Sequence, residues 1–424
     1  MEFYVRSAML QAGARVVEQV LAGVGRGRRA TPLLCANNHL VCRMESRGLS
    51  EKTIQTILGT IQFKRSVYQC PVCGATRCPG DESLDVAGTG FSPGVRRMMA
   101  HAGSEMSGFR SAGGALELYA ALRLDPKDIE RVAESTGQVV ESWMAREGSL
   151  AVAVSSEEKP DILYVTYDGT GAPVRKEELR EVKGKGEDGK AKTREVKLGC
   201  VFTQTGLDDE GRPVRDENST TYVGAIEPSV DFGHRIYAEA ARRGLRNARR
   251  VVLLVDGIAY NKSIATEHFP GATLIIDLYH AREHLAAFVR DALRQKLGTP
   301  FHHRLRGLLE AGTIEKLVEQ MEKVLPRGRA RRKEGRKQIG YFRNNAPYMR
   351  YAEFRREGLF VGSGVIEAGC KTLIGRRLKC SGMFWSVRGA NAIIALRCCI
   401  LSGRFEQFWE ARSENRAVQE RKVA

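Results

Sequence analysis

Val251-Val252-Leu253-Leu254-Val255-Asp256-Gly257 is the stretch on which the reading of this chain turns. Five apolar residues run without a break into a carboxylate and a glycine. A short apolar run rich in β-branched residues reads as a strand buried on both faces. Asp256 then stands at the carboxyl end of that strand, where open α/β sheets gather ligands. Gly257 is expected to let the backbone turn sharply.

Two other stretches share this design. Ile162-Leu163-Tyr164-Val165-Thr166-Tyr167 leads into Asp168-Gly169-Thr170, and Ala272-Thr273-Leu274-Ile275-Ile276 ends in Asp277. Three buried strands, each delivering a carboxylate, suggest a metal site built on a sheet. A single Asp-Gly pair merely marks a turn. Two of them at the ends of core strands, in a strongly basic chain, favour a site.

The 424 residues suffice for two or three domains, and 42% hydrophobic with 28% charged residues are globular values. No apolar run approaches a bilayer span. The start, Met1-Glu2-Phe3-Tyr4-Val5-Arg6, has an early acid and no secretory apolar segment, so a cytoplasmic protein without membrane contact is expected. The net charge of +17 implies a polyanionic partner, most simply nucleic acid. Residues 286–358 hold 18 Lys or Arg against 8 Asp or Glu, so most of the excess lies in one segment.

Ten cysteines in such a chain point to metal or reduced thiols. Cys70-Pro71-Val72-Cys73-Gly74 has the spacing of a zinc knuckle. Its partner pair, Cys35 and Cys42, has irregular spacing, and His39 is an alternative ligand. Between the halves, residues 53–58 and 61–68 read as a hairpin turning at Gly59-Thr60, which gives a zinc-ribbon layout. Ahead of it, residues 5–22 carry apolar positions at helical spacing. Residues 92–150 read as helices, opened by Ser92 as N-cap and Pro93 at N1. Helix-turn-helix DNA reading and plain helical packing both account for that region.

After a linker at 151–160, strands are expected at 162–168, 195–205, 220–226, 251–255 and 273–276. Helices are expected at 232–243, 262–268 and 281–293. The order β-β-β-α-β-α-β-α is that of a ribonuclease-H-like sheet. The adjacent pair His302-His303 diverges by about 100° on a helix and suits no metal. The run Arg327-Gly328-Arg329-Ala330-Arg331-Arg332-Lys333-Glu334-Gly335-Arg336-Lys337 reads as a flexible phosphate clamp that orders on DNA. Ser363 is a natural N-cap ahead of Glu367, and Lys371 sits four residues on. Arg376-Arg377-Leu378-Lys379 extends a cationic surface beside that acid. A helix over 387–409 and a frayed tail close the chain.

These residues resemble a family, the bacterial insertion-sequence DDE transposases of the ISKra type, in the Mutator-like branch. The resemblance runs from about Cys35 to Phe408. It is densest in Tyr167-Asp168-Gly169-Thr170, Lys197-Leu198-Gly199-Cys200-Val201-Phe202, Val255-Asp256-Gly257, Phe269-Pro270-Gly271-Ala272, Asp277-Leu278-Tyr279-His280-Ala281-Arg282-Glu283-His284-Leu285 and Ser363-Gly364-Val365-Ile366-Glu367. It implies an α/β fold: a ribonuclease-H-like mixed sheet with a helical insertion, preceded by a zinc-ribbon-like module and a helical region. By matching motifs, Asp168, Asp256 and Glu367 are the three acids, holding two Mg²⁺ or Mn²⁺ ions. Asp277 and His280 correspond to the family's C/D-x-x-H element. The Cys35–Cys42 spacing departs from the expected ribbon, whose structural Zn²⁺ would sit on Cys35, Cys42, Cys70 and Cys73.

The implied function is cutting and joining of insertion-sequence ends on double-stranded DNA by a homo-oligomer. The alternative is a transposase-derived DNA-binding protein without strand transfer, and a minor one is a nuclease that cleaves but cannot join. The expected DNA contacts are Arg327, Arg329, Arg331, Arg332, Lys333, Lys371, Arg376, Arg377 and Lys379. The implied layout is an N-terminal helix and basic linker (1–30), a ribbon-like module (31–90) and a helical region (91–157). The catalytic core follows (158–285), then the basic insertion (286–358), the rest of the core (359–412) and a tail (413–424).

Overall fold

The computed structural model describes residues 1–23, 26–29, 31–35, 37, 42–154, 156–180, 182 and 191–413. His39, most of the Lys-rich loop after residue 182 and the tail from 414 lie outside the described residues. The chain divides into two compact units, Met1–Thr136 with Phe405–Ala424, and Gly137–Arg404.

In the first unit, helix α1 (Glu2–Gly23) packs Ala14, Val17 and Leu21 against a hairpin of β1 (Glu45–Thr56) and β2 (Gly59–Gln69). The turn falls at Ile57-Leu58, two residues before the expected Gly59-Thr60, because Thr56 pairs with Gly59. The Thr56 hydroxyl satisfies this turn, accepting from Leu58 N–H (3.2 Å) and donating to Gly59 O (2.7 Å). A short β3 (Thr76–Arg77) and α2 (Pro79–Ser83) follow. Then come α3 (Pro93–Glu105), α4 (Phe109–Ala120) and α5 (Pro126–Ala153), the last running on into the second unit. Ser92 caps α3 by accepting the Val95 N–H, and Val95, Met99, Leu116, Leu122 and Ile129 form the apolar centre.

The second unit is built on a five-stranded mixed sheet. Its strands are β4 (Ile162–Ala172), β5 (Arg194–Gln204), β8 (Thr221–Ala225), β9 (Arg250–Val255) and β10 (Thr273–Ile276), with a separate two-strand ribbon of β6 (Gly206–Leu207) and β7 (Pro213–Val214) between β5 and β8. The order across the sheet is β10-β9-β4-β5-β8. β4 pairs antiparallel with β5 and parallel with β9, β5 pairs antiparallel with β8, and β9 pairs parallel with β10. This mixed α/β arrangement is consistent with a ribonuclease-H-like sheet. β4 runs four residues beyond the expected end at Asp168, because β5 continues to pair with it as far as Ala172.

Helix α6 (Ser229–Arg242) joins β8 to β9, α7 (Ala259–His268) joins β9 to β10, and α8 (Leu278–Ala287) follows β10. The segment 286–358 is mainly helical. A π-helical turn (Phe288–Ala292) leads to α9 (Pro300–Glu310), α10 (Ile314–Lys323), α11 (Arg329–Asn345) and α12 (Tyr351–Arg356). The basic run expected to be flexible is instead the first half of α11. Gly335, Gln338, Ile339 and Phe342 are buried along one face, so the helix is amphipathic and held by packing.

The chain returns through α13 (Gly364–Gly369), a π-helical stretch (Cys370–Gly375), α14 (Arg376–Leu378) and α15 (Val387–Leu401). The single helix expected over 387–409 is broken after Leu401. Gly403 takes φ +67°, a left-handed conformation that ends a helix, and residues 405–413 are helical in the first unit.

Candidate metal and catalytic centres

Strand register assembles the carboxylates. Tyr167 lies opposite Val255, and Val255 opposite Ile276. The residues that follow, Asp168, Asp256 and Asp277, therefore emerge side by side from three adjacent strands, about 4.8 Å apart per step. Gly169 N–H donates to Asp168 Oδ1 (2.7 Å). Asp256 Oδ1 accepts from Ile258 N–H (3.2 Å) and from the Asn261 amide. Asn261 is held in turn because its carbonyl accepts the buried Tyr167 hydroxyl (2.6 Å).

Asp277 is fully buried and caps α8, taking the His280 N–H on Oδ1 (2.7 Å) and the Ser363 N–H on Oδ2. His280 Nδ1 lies 3.3 Å from Asp277 Oδ1, at ion-pair distance without hydrogen-bond alignment. Ligand atoms of Asp277, His280 and Glu367 all lie within 4.8 Å of one another. Glu367 comes from α13, far along the chain, and is half-buried. Among the described residues, Glu367 and Lys371 form no ion pair, and Lys371 is exposed.

The electrostatics fit a crowded anionic pocket. Burial pushes the Asp168 carboxyl up, and its neighbours Asp256 and Glu367 push further. Burial raises Asp256 too, with Asp277 adding to it. For Asp277 burial acts upward, but the contacts from His280 and Ser363 outweigh it and hold the carboxyl below its usual range. The contact with Asp277 raises His280 to about 9, so its ring is cationic at neutral pH. Like charges this close are costly without a counter-ion. The side-chain oxygens of Asn261, Ser363, Tyr341 and Asn345 are also buried without a partner among the described residues. A hard, hydrated divalent cation fits both features, since carboxylate oxygens would hold it and its waters would meet the orphaned groups.

The glycines of the two Asp-Gly pairs make room, and Gly257 also lies at the expected bend of the chain. Gly257 has no positive φ, but a Cβ there would lie 2.5 Å from the Tyr341 ring. Gly169 sits inside β4, and a Cβ would run into the Glu195 carboxylate and come within 3.2 Å of the Tyr260 hydroxyl. Glu195, Lys197, Tyr260, Asn261, His284, Tyr341 and Asn345 all border the site, and the sequence reading gave none of them a role in it. Lys197 Nζ binds Glu195 (2.7 Å) and the Glu227 carbonyl (3.1 Å) and lies 5.6 Å from the Tyr260 ring. Lys197 and His284 do lie within the stretches that carry the resemblance, the one sequence signal near any of these residues.

Among the expected DNA contacts, Arg327, Arg329, Arg331, Arg332, Lys333, Lys371, Arg376 and Lys379 are exposed. Lys379 Nζ binds the Thr170 hydroxyl (2.6 Å), two residues from Asp168. Arg377 is a correction. It is completely buried, with its guanidinium 4.9 Å from the Trp385 ring centroid, so it serves packing and offers nothing to a ligand.

The second centre lies in the first unit. The Leu34–Arg43 bridge, with Cys35 N–H donating to Cys42 O (3.1 Å), sets the two irregularly spaced cysteines opposite each other. In the knuckle, Gly74 N–H donates to Cys70 O (2.9 Å), and Gly74 takes φ +70°. Sγ–Sγ distances are 3.6 Å for Cys35–Cys73 and 3.2 Å for Cys42–Cys70. Tetrahedral zinc at about 2.3 Å from each sulfur wants sulfurs roughly 3.8 Å apart. The Cys73 N–H lowers the Cys70 thiol to about 6, which favours the thiolate. The sulfurs of Cys35, Cys70 and Cys73 lie within 4.8 Å of one another and fit zinc, while Cys42 stands outside that cluster and reaches only Cys70 among them.

No protein-family model matches the chain, and no curated protein does. Among solved structures, the Drosophila P element transposase strand transfer complex is similar at a TM-score of 0.23 and 11% identity, covering 74% of this chain and 80% of that one. A likeness of that size does not establish a shared fold. Among the described residues, no helix is long and apolar enough to cross a membrane.

Proposed function

We propose that this chain is a divalent-metal-dependent DNA transposase of the DDE type, with Asp168, Asp256 and Glu367 as its acids on a ribonuclease-H-like sheet. It is read as a relative of the ISKra insertion-sequence group. The observation that carries the reading is strand register, which sets Asp168 and Asp256 side by side on β4 and β9, with Glu367 among the charges acting on Asp168 and itself clustered with Asp277 and His280. Asp168, Asp256 and Glu367 are the groups that would hold two Mg²⁺ or Mn²⁺ ions. Bound there, such ions supply activation of an attacking hydroxyl and charge stabilisation on the leaving oxygen of a phosphodiester.

The chain's own residues do the rest. Both Asp277 oxygens are committed to backbone N–H groups, so Asp277 and His280 shape the pocket from its wall. Lys379, Arg376 and Lys371 supply positive charge beside it, and α11 offers phosphate contacts. Cys35, Cys42, Cys70 and Cys73 would hold a structural Zn²⁺ in the first unit. The partners are double-stranded DNA and further copies of the chain.

A strand-transfer assay tests this reading. The full chain is incubated with oligonucleotides carrying the ends of its own mobile element and a supercoiled plasmid, with Mg²⁺ or with EDTA. Joined products that need Mg²⁺ are expected. Binding to the ends without cleavage would point to a DNA-binding derivative, and cleavage without joining to a nuclease.

A further inference from the structure

Tyr341 belongs to the insertion, yet its ring rests against the strand end that bears Asp256. A Cβ on Gly257 would lie 2.5 Å from Tyr341 Cε2 and 3.1 Å from Cζ. The ring is stacked on His284, with centroids 3.6 Å apart and planes 17° from parallel. His284 Nδ1 is 2.6 Å from Gln338 Oε1, and Gln338 Nε2 donates to Glu334 Oε1 at 2.5 Å. A chain of contacts thus fixes where the Tyr341 hydroxyl points.

That hydroxyl is shut off from solvent and has no hydrogen-bond partner among the described residues. Phenylalanine would fill the same space without leaving a buried polar group unpaired, which is destabilising. Asn345, one turn further on α11, repeats the situation. Its Nδ2 donates to Tyr341 O (2.8 Å) and would lie 2.8 Å from a Gly257 Cβ, while its Oδ1 is buried and unpartnered. Two orphaned groups therefore flank the residue after Asp256, from one helix.

We propose that Tyr341 and Asn345 are positioning residues for a hydrated divalent cation at Asp256, bonding to its water shell and not to the ion. This rests on the metal-dependent reading above. Mg²⁺ and Mn²⁺ sites of this kind keep several waters, and partners outside the first ligands orient them. A tyrosine hydroxyl can donate or accept, and an amide oxygen accepts. The same helix carries Arg329, Arg332, Lys333 and Arg336 on one exposed stripe. The insertion's grip on a phosphate backbone and the water shell of the ion thereby share one rigid element.

The test uses the full chain without DNA and Mn²⁺ as the probe, read by electron paramagnetic resonance. Wild type should show a bound fraction that Asp256→Ala removes. Tyr341→Phe should weaken that fraction by about tenfold. Its metal-free thermal midpoint should stay equal or rise, because the ring and its stacking remain. A purely structural role for the hydroxyl would lower the midpoint and leave Mn²⁺ affinity alone. An Asp256-dependent fraction that Tyr341→Phe binds as wild type does overturns this inference and leaves the metal reading standing. No Asp256-dependent Mn²⁺ in wild type at millimolar concentration overturns both.

Discussion

Asp277 accepts the backbone N–H of Ser363, a residue 86 positions further along the chain. Beside it, Leu278 N–H donates to the Val361 carbonyl at 2.9 Å. These two bonds fasten the loop before α13 to the end of β10. Glu367 follows four residues after the fastened point, so its place is set from the end of β10, beside the strand that bears Asp256.

Removing any one acid should stop the chemistry without releasing DNA. Asp168→Ala, Asp256→Ala and Glu367→Gln are each expected to lower cleavage by 10²–10³-fold or more, on the order of losing one main charge-stabilising group. Affinity for DNA should stay close to wild type, since it comes mainly from phosphate contacts. Gel-based cleavage and filter binding on the same preparations check both halves. Near-normal cleavage by any of the three would remove that residue from the triad.

The His280–Asp277 contact gives a pH signature. The folded His280 sits at about 9, above its ordinary 6.5. Because the folded value is raised, the stabilisation it brings is fully present below about 6.5 and is lost as pH rises through about 9. A histidine side-chain NMR titration of the metal-free protein should place one ring midpoint well above the ordinary value, and His280→Ala should erase that resonance. A midpoint at or below 6.5 for His280 would mean the pair is not ionised.

The cations of α11 are arranged by a formed helix, and that changes which substitutions matter. Arg329, Arg332, Lys333 and Arg336 fall on one stripe, whereas Arg331 points elsewhere. None of the five forms an ion pair among the described residues. Replacing the four stripe residues with Ala keeps helix propensity. It should flatten the dependence of log affinity on log salt by up to about 3.6, at about 0.9 per phosphate contact. Arg331→Ala alone should change it little. Fluorescence anisotropy across a salt series measures this, and preference for one DNA sequence over another should be unaffected.

Two glycines in the second unit should respond to Ala with opposite signs. A Cβ at Gly257 would meet Tyr341 and Asn345, so Gly257→Ala should cost about 1–3 kcal/mol as an overpacking change. Gly340, inside α11, has nothing within 4 Å of a Cβ, so Gly340→Ala should stabilise by about 0.5–1 kcal/mol. Urea denaturation midpoints of the two variants give the comparison.

The four cysteines should behave as one ligand set. Purified chain is expected to carry about one zinc per molecule by elemental analysis, and Cys70→Ser or Cys73→Ser should abolish it. Proteolysis should then open the first unit, because the bridge between Leu34 and Arg43 loses its anchor, while the second unit keeps its protected core. Full zinc content in both variants would contradict the assignment.

Much of this architecture is written locally. The apolar runs at 162–167, 251–255 and 273–276 are strands because burial on both faces demands continuous apolar residues, and each acid directly follows its apolar run. Ser92-Pro93 opens a helix wherever it lies, since the cap and the fixed φ act within one turn. What tertiary structure decided is whatever depends on partners distant in sequence. Parallel register aligns Asp168, Asp256 and Asp277, and the Ser363 bond to Asp277 brings in Glu367. A cationic motif cannot reveal that Arg377 is buried against Trp385 while its neighbour Arg376 is exposed. Nor can an irregular cysteine spacing reveal the Leu34–Arg43 bridge that closes it. The bend at Gly257 was legible in the Asp-Gly pair, but the ring that needs its missing Cβ arrives from a helix more than seventy residues away.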